Sequence, residues 1–217
     1  MIDLHTHTLF SDGELIPSEL LQRAEGLGLR AIAIADHADM SNFDWLLPRV
    51  IRACEENNRW RRIKAVPGIE LTHLPPDLIG RYVAEARALG AQVVVVHGES
   101  PVEPVAPGTN LAAIAAGADI LSHPGLITPD AAAAAARRGV YLELTTRRGH
   151  CLTNGHVAAV ARTSGAPLVL NTDAHSPSDL VDAAFARLTA LGAGLSNAEY
   201  DMVRTNMARL AGLEETA

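Results

Sequence analysis

Histidines and carboxylates recur along this chain at the places where short apolar runs end. His5 and His7 close the first run, His37 the second, His97 the fourth, His123 the fifth and His175 the seventh. Glu70 ends the third run, and Asp173 stands beside His175. In an extended segment the spacing His5-Thr6-His7 sends both imidazoles to one face, and Asp173 and His175 repeat that geometry. Imidazole and carboxylate donors suit Zn²⁺, Mn²⁺ or Fe²⁺, and one carboxylate can bridge two ions. So many buried imidazoles without a metal would be costly. Adjacent divalent ions can turn a bridging water into hydroxide near neutral pH. Such a site needs no nucleophilic side chain: a metal-bridged hydroxide attacks, with Asp173 or a neighbouring histidine managing its proton.

The elements that must position these residues follow from periodicity. Apolar, often β-branched runs at 2–4, 31–35, 65–71, 92–96, 119–121, 140–144 and 168–170 read as strands buried on both faces. Between them, 17–27, 43–59, 77–89, 111–116, 130–138 and 156–164 read as helices, and 178–191 and 197–210 close the chain as two more. Pro17 at a first helical position and Gly28, Gly90, Gly139 and Gly165 past helix ends are matching punctuation. Repeated strand–helix units imply parallel strands with helices outside, in either an open sheet or a barrel. Only a closed or nearly closed barrel gathers donors from the first to the last strand on one face. The expected fold class is therefore α/β, as one domain over 1–217 with C-terminal helices from about residue 178.

Composition narrows the partners. The formal charge of −7 argues against a broad nucleic-acid-binding face, which needs clustered cations. Two cysteines, Cys54 and Cys151, are too few for a disulfide framework, and both read as reduced thiols. The opening MIDLHTH has no basic or apolar leader, and no apolar run approaches a membrane span. A cytoplasmic location without membrane attachment is the expectation; the oligomeric state is left open.

The ordered set His5-Thr6-His7-Thr8, Ser11-Asp12-Gly13, Ala35-Asp36-His37, Gly68-Ile69-Glu70, His97-Gly98, Ser122-His123-Pro124 and Asp173-Ala174-His175 resembles the PHP (polymerase and histidinol phosphatase) family. The likeness runs from residue 2 to about residue 180. It implies a distorted seven-stranded β/α barrel of the TIM-like kind, holding up to three ions among Zn, Mn and Fe. On that resemblance His5, His7, Glu70 and Asp173 bind one ion. Glu70 bridges it to a second ion held by His97 and His123, and Asp12, His37 and His175 hold the third. Some relatives have histidine where this chain has Asp12, which favours harder ions such as Mn²⁺.

The resemblance implies a metal-dependent phosphoesterase with Glu70, Asp173 and His175 in the chemistry. A phosphatase acting on a small phosphomonoester leads, with histidinol phosphate or a nucleotide phosphate as substrate. A nuclease trimming nucleic acid 3′ ends is the second reading, and an amidohydrolase the rival from another reaction class. That rival lacks its usual modified lysine on the fourth strand, because Lys64 is the only lysine. A non-enzymatic metal-binding module is the last alternative. For the phosphate itself, Arg147 and Arg148 in the loop after the sixth strand, and His73 three residues beyond Glu70, are the candidate contacts. Glu143 is a candidate partner behind the metal ligands. Asp36, His156 and the arginine-rich helix flanked by Trp45 and Trp60 read as structural.

Overall fold

A computed structural model describes residues 1–213. Its centre is a parallel sheet in the order β1-β2-β4-β5-β6-β7-β8. The strands are β1 (Ile2–Asp3), β2 (Ala31–Ile34), β4 (Lys64–Leu71), β5 (Val93–His97), β6 (Ile120–Ser122), β7 (Tyr141–Thr145) and β8 (Leu168–Asn171). A further pair of residues, β3 (His37–Ala38), runs beside the end of β4 and sets His37 opposite Glu70. Val93–Val96 are buried without interruption because helices cover one face and the barrel interior the other.

The barrel is nearly closed, and the seam between β1 and β8 is held by main-chain and side-chain bonds together. Asp173 N donates to His5 O at 2.9 Å and His7 N to Ala174 O at 2.9 Å. Leu4 N donates to the Asn171 side chain at 2.8 Å, and the Asp3 carboxylate accepts from Thr172 N and Oγ1. Every contact of this seam lies within three residues of a candidate ligand, so closing the barrel also sets the site.

Helices α1 (Pro17–Gly26), α2 (Phe43–Asn58), α3 (Pro76–Leu89), α4 (Thr109–Ala116), α5 (Pro129–Arg138) and α6 (Asn154–Ser164) form the outer layer. Proline opens α1, α3 and α5, where a missing N–H costs nothing. Thr128 caps α5 by accepting from Ala131 N, and Gly139 beyond its end has φ 69°, the left-handed conformation that glycine adopts most cheaply. The alanine run 131–136 packs Ala131, Ala132 and Ala135 into the core.

One expected helix, 178–191, divides. A short 3-10 turn at Pro177–Asp179 precedes α7 (Ala183–Gly192), and α8 (Asn197–Leu210) follows. The break arises because Asp179 turns its carboxylate back onto His175 N and Ser176 N, while Asp182 caps α7 through Phe185 N. No helix among the described residues is long and apolar enough to cross a membrane.

Candidate metal centre

All nine proposed ligands converge at the carboxyl ends of the strands. Glu70, wholly buried on β4, is the hub. Its Oε1 lies 3.2 Å from His5 Nε2, 3.3 Å from His97 Nδ1 and 3.9 Å from His123 Nε2. Its Oε2 lies 2.6 Å from His37 Nδ1 and 3.8 Å from His7 Nε2. Asp173 faces the hub, with Oδ1 3.1 Å from His7 Nε2 and Oδ2 3.6 Å from His123 Nε2. Asp12, on the loop after β1, closes the near side: its Oδ1 is 3.3 Å from His175 Nε2 and 3.6 Å from His37 Nε2. Three donor groups result: His5 with His7 and Asp173; Glu70 with His97 and His123; and His7 with Asp12, His37 and His175. These groups differ from the resemblance-based division in two ways: Glu70 is not grouped with His5, His7 and Asp173, and His7 also reaches Asp12, His37 and His175.

Backbone features enforce this convergence. A Cβ at Gly98 would collide with the Ser122 carbonyl, so glycine lets the ends of β5 and β6 approach. The rings of His97 and His123 then lie 4.5 Å apart. Asp36 points away from the cluster, as expected, and accepts from Thr8 N (2.6 Å), Thr8 Oγ1 (2.7 Å) and Ser11 Oγ (2.7 Å). It thereby pins the loop that carries His7 and Asp12. His123 (φ 27°) and Asp173 (φ 54°) hold left-handed backbone without being glycine. Such residues cost about 1–3 kcal/mol each and persist where the surroundings enforce them.

Behind the ligands stands a ring of orienting groups. Glu143 Oε1 lies 2.9 Å from His5 Nδ1 and accepts from Asn171 Nδ2 at 2.8 Å, while Oε2 accepts from His123 N at 3.1 Å. Glu143 is therefore the inward-facing partner anticipated on the sixth helix-linked strand, β7. His175 Nδ1 is 2.9 Å from the Asp173 carbonyl, His37 Nδ1 is 2.7 Å from Thr72 Oγ1, and Ser122 Oγ donates to Glu70 at 2.9 Å. The contacts to His5 and His175 aim the opposite ring nitrogens into the cluster, the usual arrangement around metal-ligating histidine, whereas His37 Nδ1 is shared between Thr72 and Glu70.

Buried donor atoms test whether a cation fits. His5 Nε2, both ring nitrogens of His7, His97 and His123, and Asp173 Oδ1 are buried without a hydrogen-bond partner. Each such atom left unsatisfied costs about 1–3 kcal/mol. Divalent cations would satisfy one nitrogen of each of these rings and the Asp173 oxygen, so the donor set fits.

Charge is finely divided within the cluster. Burial, then repulsion from His37, pushes the His7 imidazole down to about 3, and burial with His97 nearby also lowers His123 well below the usual range. Both rings are thus neutral, the form that ligates metal. Burial opposes charge on His5 as well, but Glu70, Glu143 and Asp173 outweigh it and raise its pKa. Burial likewise disfavours the ionised carboxyl groups of Glu70 and Asp173, yet the imidazoles around them, His5 foremost, hold both well below the ordinary carboxylate range.

The proposed phosphate contacts are placed differently from one another. Arg147 is drawn into an ion pair with Asp179 at 3.0 Å, while Arg148 is exposed on the same loop. His73 is half-exposed at the mouth, 5.1 Å from the His97 ring. His156 serves the fold, its Nε2 lying 2.8 Å from the Ile127 carbonyl. Trp45 stacks with Arg49 at 4.5 Å on the outer helix α2. Burial pushes the Cys54 thiol up to about 12, consistent with an inert thiol. Two residues beside the cluster carry no role in the sequence reading. Glu103 comes from the long loop after β5, and buried His150 stands with its ring 4.2 Å from that of His123. Glu103 has no periodic signal, and His150 is distinguishable only as a histidine in the arginine loop.

A nearly closed parallel barrel with this donor set, placed at the carboxyl ends of its strands, defines a metal-dependent hydrolase. The sequence profile of the PHP domain matches residues 3–106, which include six of the nine donors. The uncharacterized protein MJ1295 of Methanocaldococcus jannaschii is 50% identical over 201 residues, 92% of each chain. The chain belongs to the PHP family. Among solved structures, a provisionally assigned metal-dependent phosphoesterase from Bifidobacterium adolescentis superposes with a TM-score of 0.50 at 18% identity, over 91% of this chain and 97% of that one. A zinc-bound adenosine deaminase from Xanthomonas campestris superposes with a TM-score of 0.61 at 14% identity, over 98% of this chain and 66% of that one. At such identities the likeness is one of fold.

Proposed function

We propose that the protein is a phosphoesterase that hydrolyses a small phosphomonoester, such as histidinol phosphate or a nucleotide phosphate. The observation that carries this reading is the buried Glu70 carboxylate, whose two oxygens lie within 4 Å of the imidazoles of His5, His7, His37, His97 and His123, a placement that would let it serve two cations. His5, His7, Glu70 and Asp173 would hold one ion, Glu70, His97 and His123 a second, and Asp12, His37 and His175 a third. Zn, Mn or Fe would suit these donors. Bound there, such ions lower the pKa of water and neutralise charge on a phosphoryl group. Glu143 keeps His5 in one orientation, and Asp36 keeps the His7 loop in place. Asp173, whose Oδ2 stands 3.6 Å from His123 Nε2, or a neighbouring histidine would take the proton of the attacking water. Arg148, exposed at the rim, meets the substrate phosphate, and Arg147 joins it by leaving Asp179.

The resemblance to a deaminase structure supports a second reading, an amidohydrolase-type reaction. Against it stands Lys64, the only lysine, whose Nζ lies 3.1 Å from the Gly212 carbonyl, at the opposite end of β4 from Glu70. A nuclease reading is disfavoured by the net charge of −7. Phosphate or alcohol release from p-nitrophenyl phosphate, its bis ester and short oligonucleotides, alongside ammonia release from adenosine, separates these outcomes. Turnover of the monoester above the others supports the proposal; ammonia release without phosphate release rejects it.

A further inference from the structure

The donor atoms do not stop at the nine. The loop between β5 and α4 brings Glu103 to the mouth of the site, where Oε2 lies 2.9 Å from His97 Nε2 and 3.6 Å from His73 Nε2. Its other oxygen lies 3.3 Å from His150 Nε2. The loop is fastened at its base rather than loose. Glu99 Oε1 accepts from Gly108 N (3.1 Å) and Asn110 N (2.9 Å), and the Asn110 side chain bonds Glu99 N and Pro124 O. His150 is tethered in turn through Nδ1, 2.7 Å from Ser100 Oγ.

Two observations separate this cluster from an ordinary ion pair. His97 is buried, with a side chain only 4% exposed, yet its Nε2 has no hydrogen-bond partner. The Glu103 oxygen is close enough to accept but lies off the N–H direction. His73 holds left-handed backbone (φ 52°), an unfavourable conformation for a non-glycine residue, and so aims its ring at the same point. Ligand atoms of His73, His97 and Glu103 lie within 4.8 Å of one another, the span of a coordination sphere.

We propose that His73, His97 and Glu103 form an outer divalent-cation position at the mouth of the barrel, separate from the nine-donor centre and sharing only His97 with it. The inner face of His97 is Nδ1, toward Glu70; the outer face is Nε2. A neutral imidazole carries one N–H, so an ion on each face requires that proton to leave for solvent and the ring to act as imidazolate. The outer ion is therefore the weaker one and the first to exchange. It adds positive charge where a phosphate enters, and so favours substrates of higher negative charge. The position rests on reading the nine donors as a metal centre.

Equilibrium dialysis against Mn²⁺, with metal quantified per chain and dissociation followed by chelator competition, tests this position directly. Wild-type protein should bind one Mn²⁺ more than either His73→Ala or Glu103→Ala, with the tighter ions unchanged in number. Both substituted side chains are half-exposed, and circular dichroism checks that the variants fold; if one does not, the other carries the test. Equal stoichiometry and equal affinities in wild type and variants overturn the outer position while leaving the inner centre standing. A wild-type protein that binds no Mn²⁺, Zn²⁺ or Fe²⁺ overturns both.

Discussion

Replacing Glu143 by glutamine removes a charge that touches no proposed substrate and yet should weaken the whole centre. Three donors converge on this carboxylate: His5 Nδ1, Asn171 Nδ2 and His123 N, at 2.9, 2.8 and 3.1 Å. Glutamine has one acceptor oxygen, so its amide must face at least one of these N–H groups. A buried donor left without a partner costs about 1–3 kcal/mol. For a chain of this size each kcal/mol lowers Tm by about 2–4 °C, so metal-free Glu143→Gln should melt roughly 2–12 °C below metal-free wild type. The second effect is on the ligands, because His5 loses the partner that aims Nε2 at Glu70. Loss of such a partner typically lowers metal affinity about 10–100-fold. Chelator competition on the folded variant reads this affinity, and a calorimetric melt reads the stability. If Glu143→Gln binds metal as tightly as wild type and melts at the same temperature, the orienting ring behind the ligands has no such role.

Other perturbations address the remaining parts. Asp36→Ala strands Thr8 N and two hydroxyls and frees the loop that carries His7 and Asp12, so stability should fall by about 2–4 kcal/mol, read by urea denaturation. In metal-free protein the folded state keeps His7 neutral down to about pH 3, whereas the unfolded chain takes up that proton near pH 6.5. Its contribution to stability is therefore complete above 6.5 and lost as the pH falls from there toward 3. His7→Asn should flatten the acid limb of a stability-versus-pH curve. Arg148→Ala should raise KM for a phosphomonoester several-fold and leave metal content unchanged; an unchanged KM removes Arg148 from phosphate binding.

Legibility in the sequence followed the regular part of the fold. Strands such as Val93–His97 are buried on both faces and announce themselves as unbroken apolar runs, and a histidine or carboxylate at the end of most of them marks one rim of the barrel. Period-two spacing of His5 with His7 needed no knowledge of distant contacts, and neither did Pro17 at the first position of α1. What escaped lies where long-range contacts decide conformation. The two residues of β3 are extended because β4 offers them partners, not because His37 or Ala38 prefers a strand. The break before α7 depends on Asp179 bonding back to His175 and Ser176, which competes with helix in a segment of otherwise suitable residues. Arg147, read from its loop position as a phosphate contact, meets Asp179 through the same fold-back. Glu103 is invisible for a related reason: its neighbours His73, His97 and His150 meet it only after three separate loops have been brought together.

The proposed phosphoesterase depends on a multinuclear metal centre. The most direct measurement is elemental analysis of the purified protein, followed by phosphate release on that same preparation before and after chelation and with Mn²⁺ restored. At least two tightly held ions per chain are expected, with activity lost on chelation and recovered with the metal. Fewer than two ions per chain, with no stimulation by Mn²⁺, would contradict it.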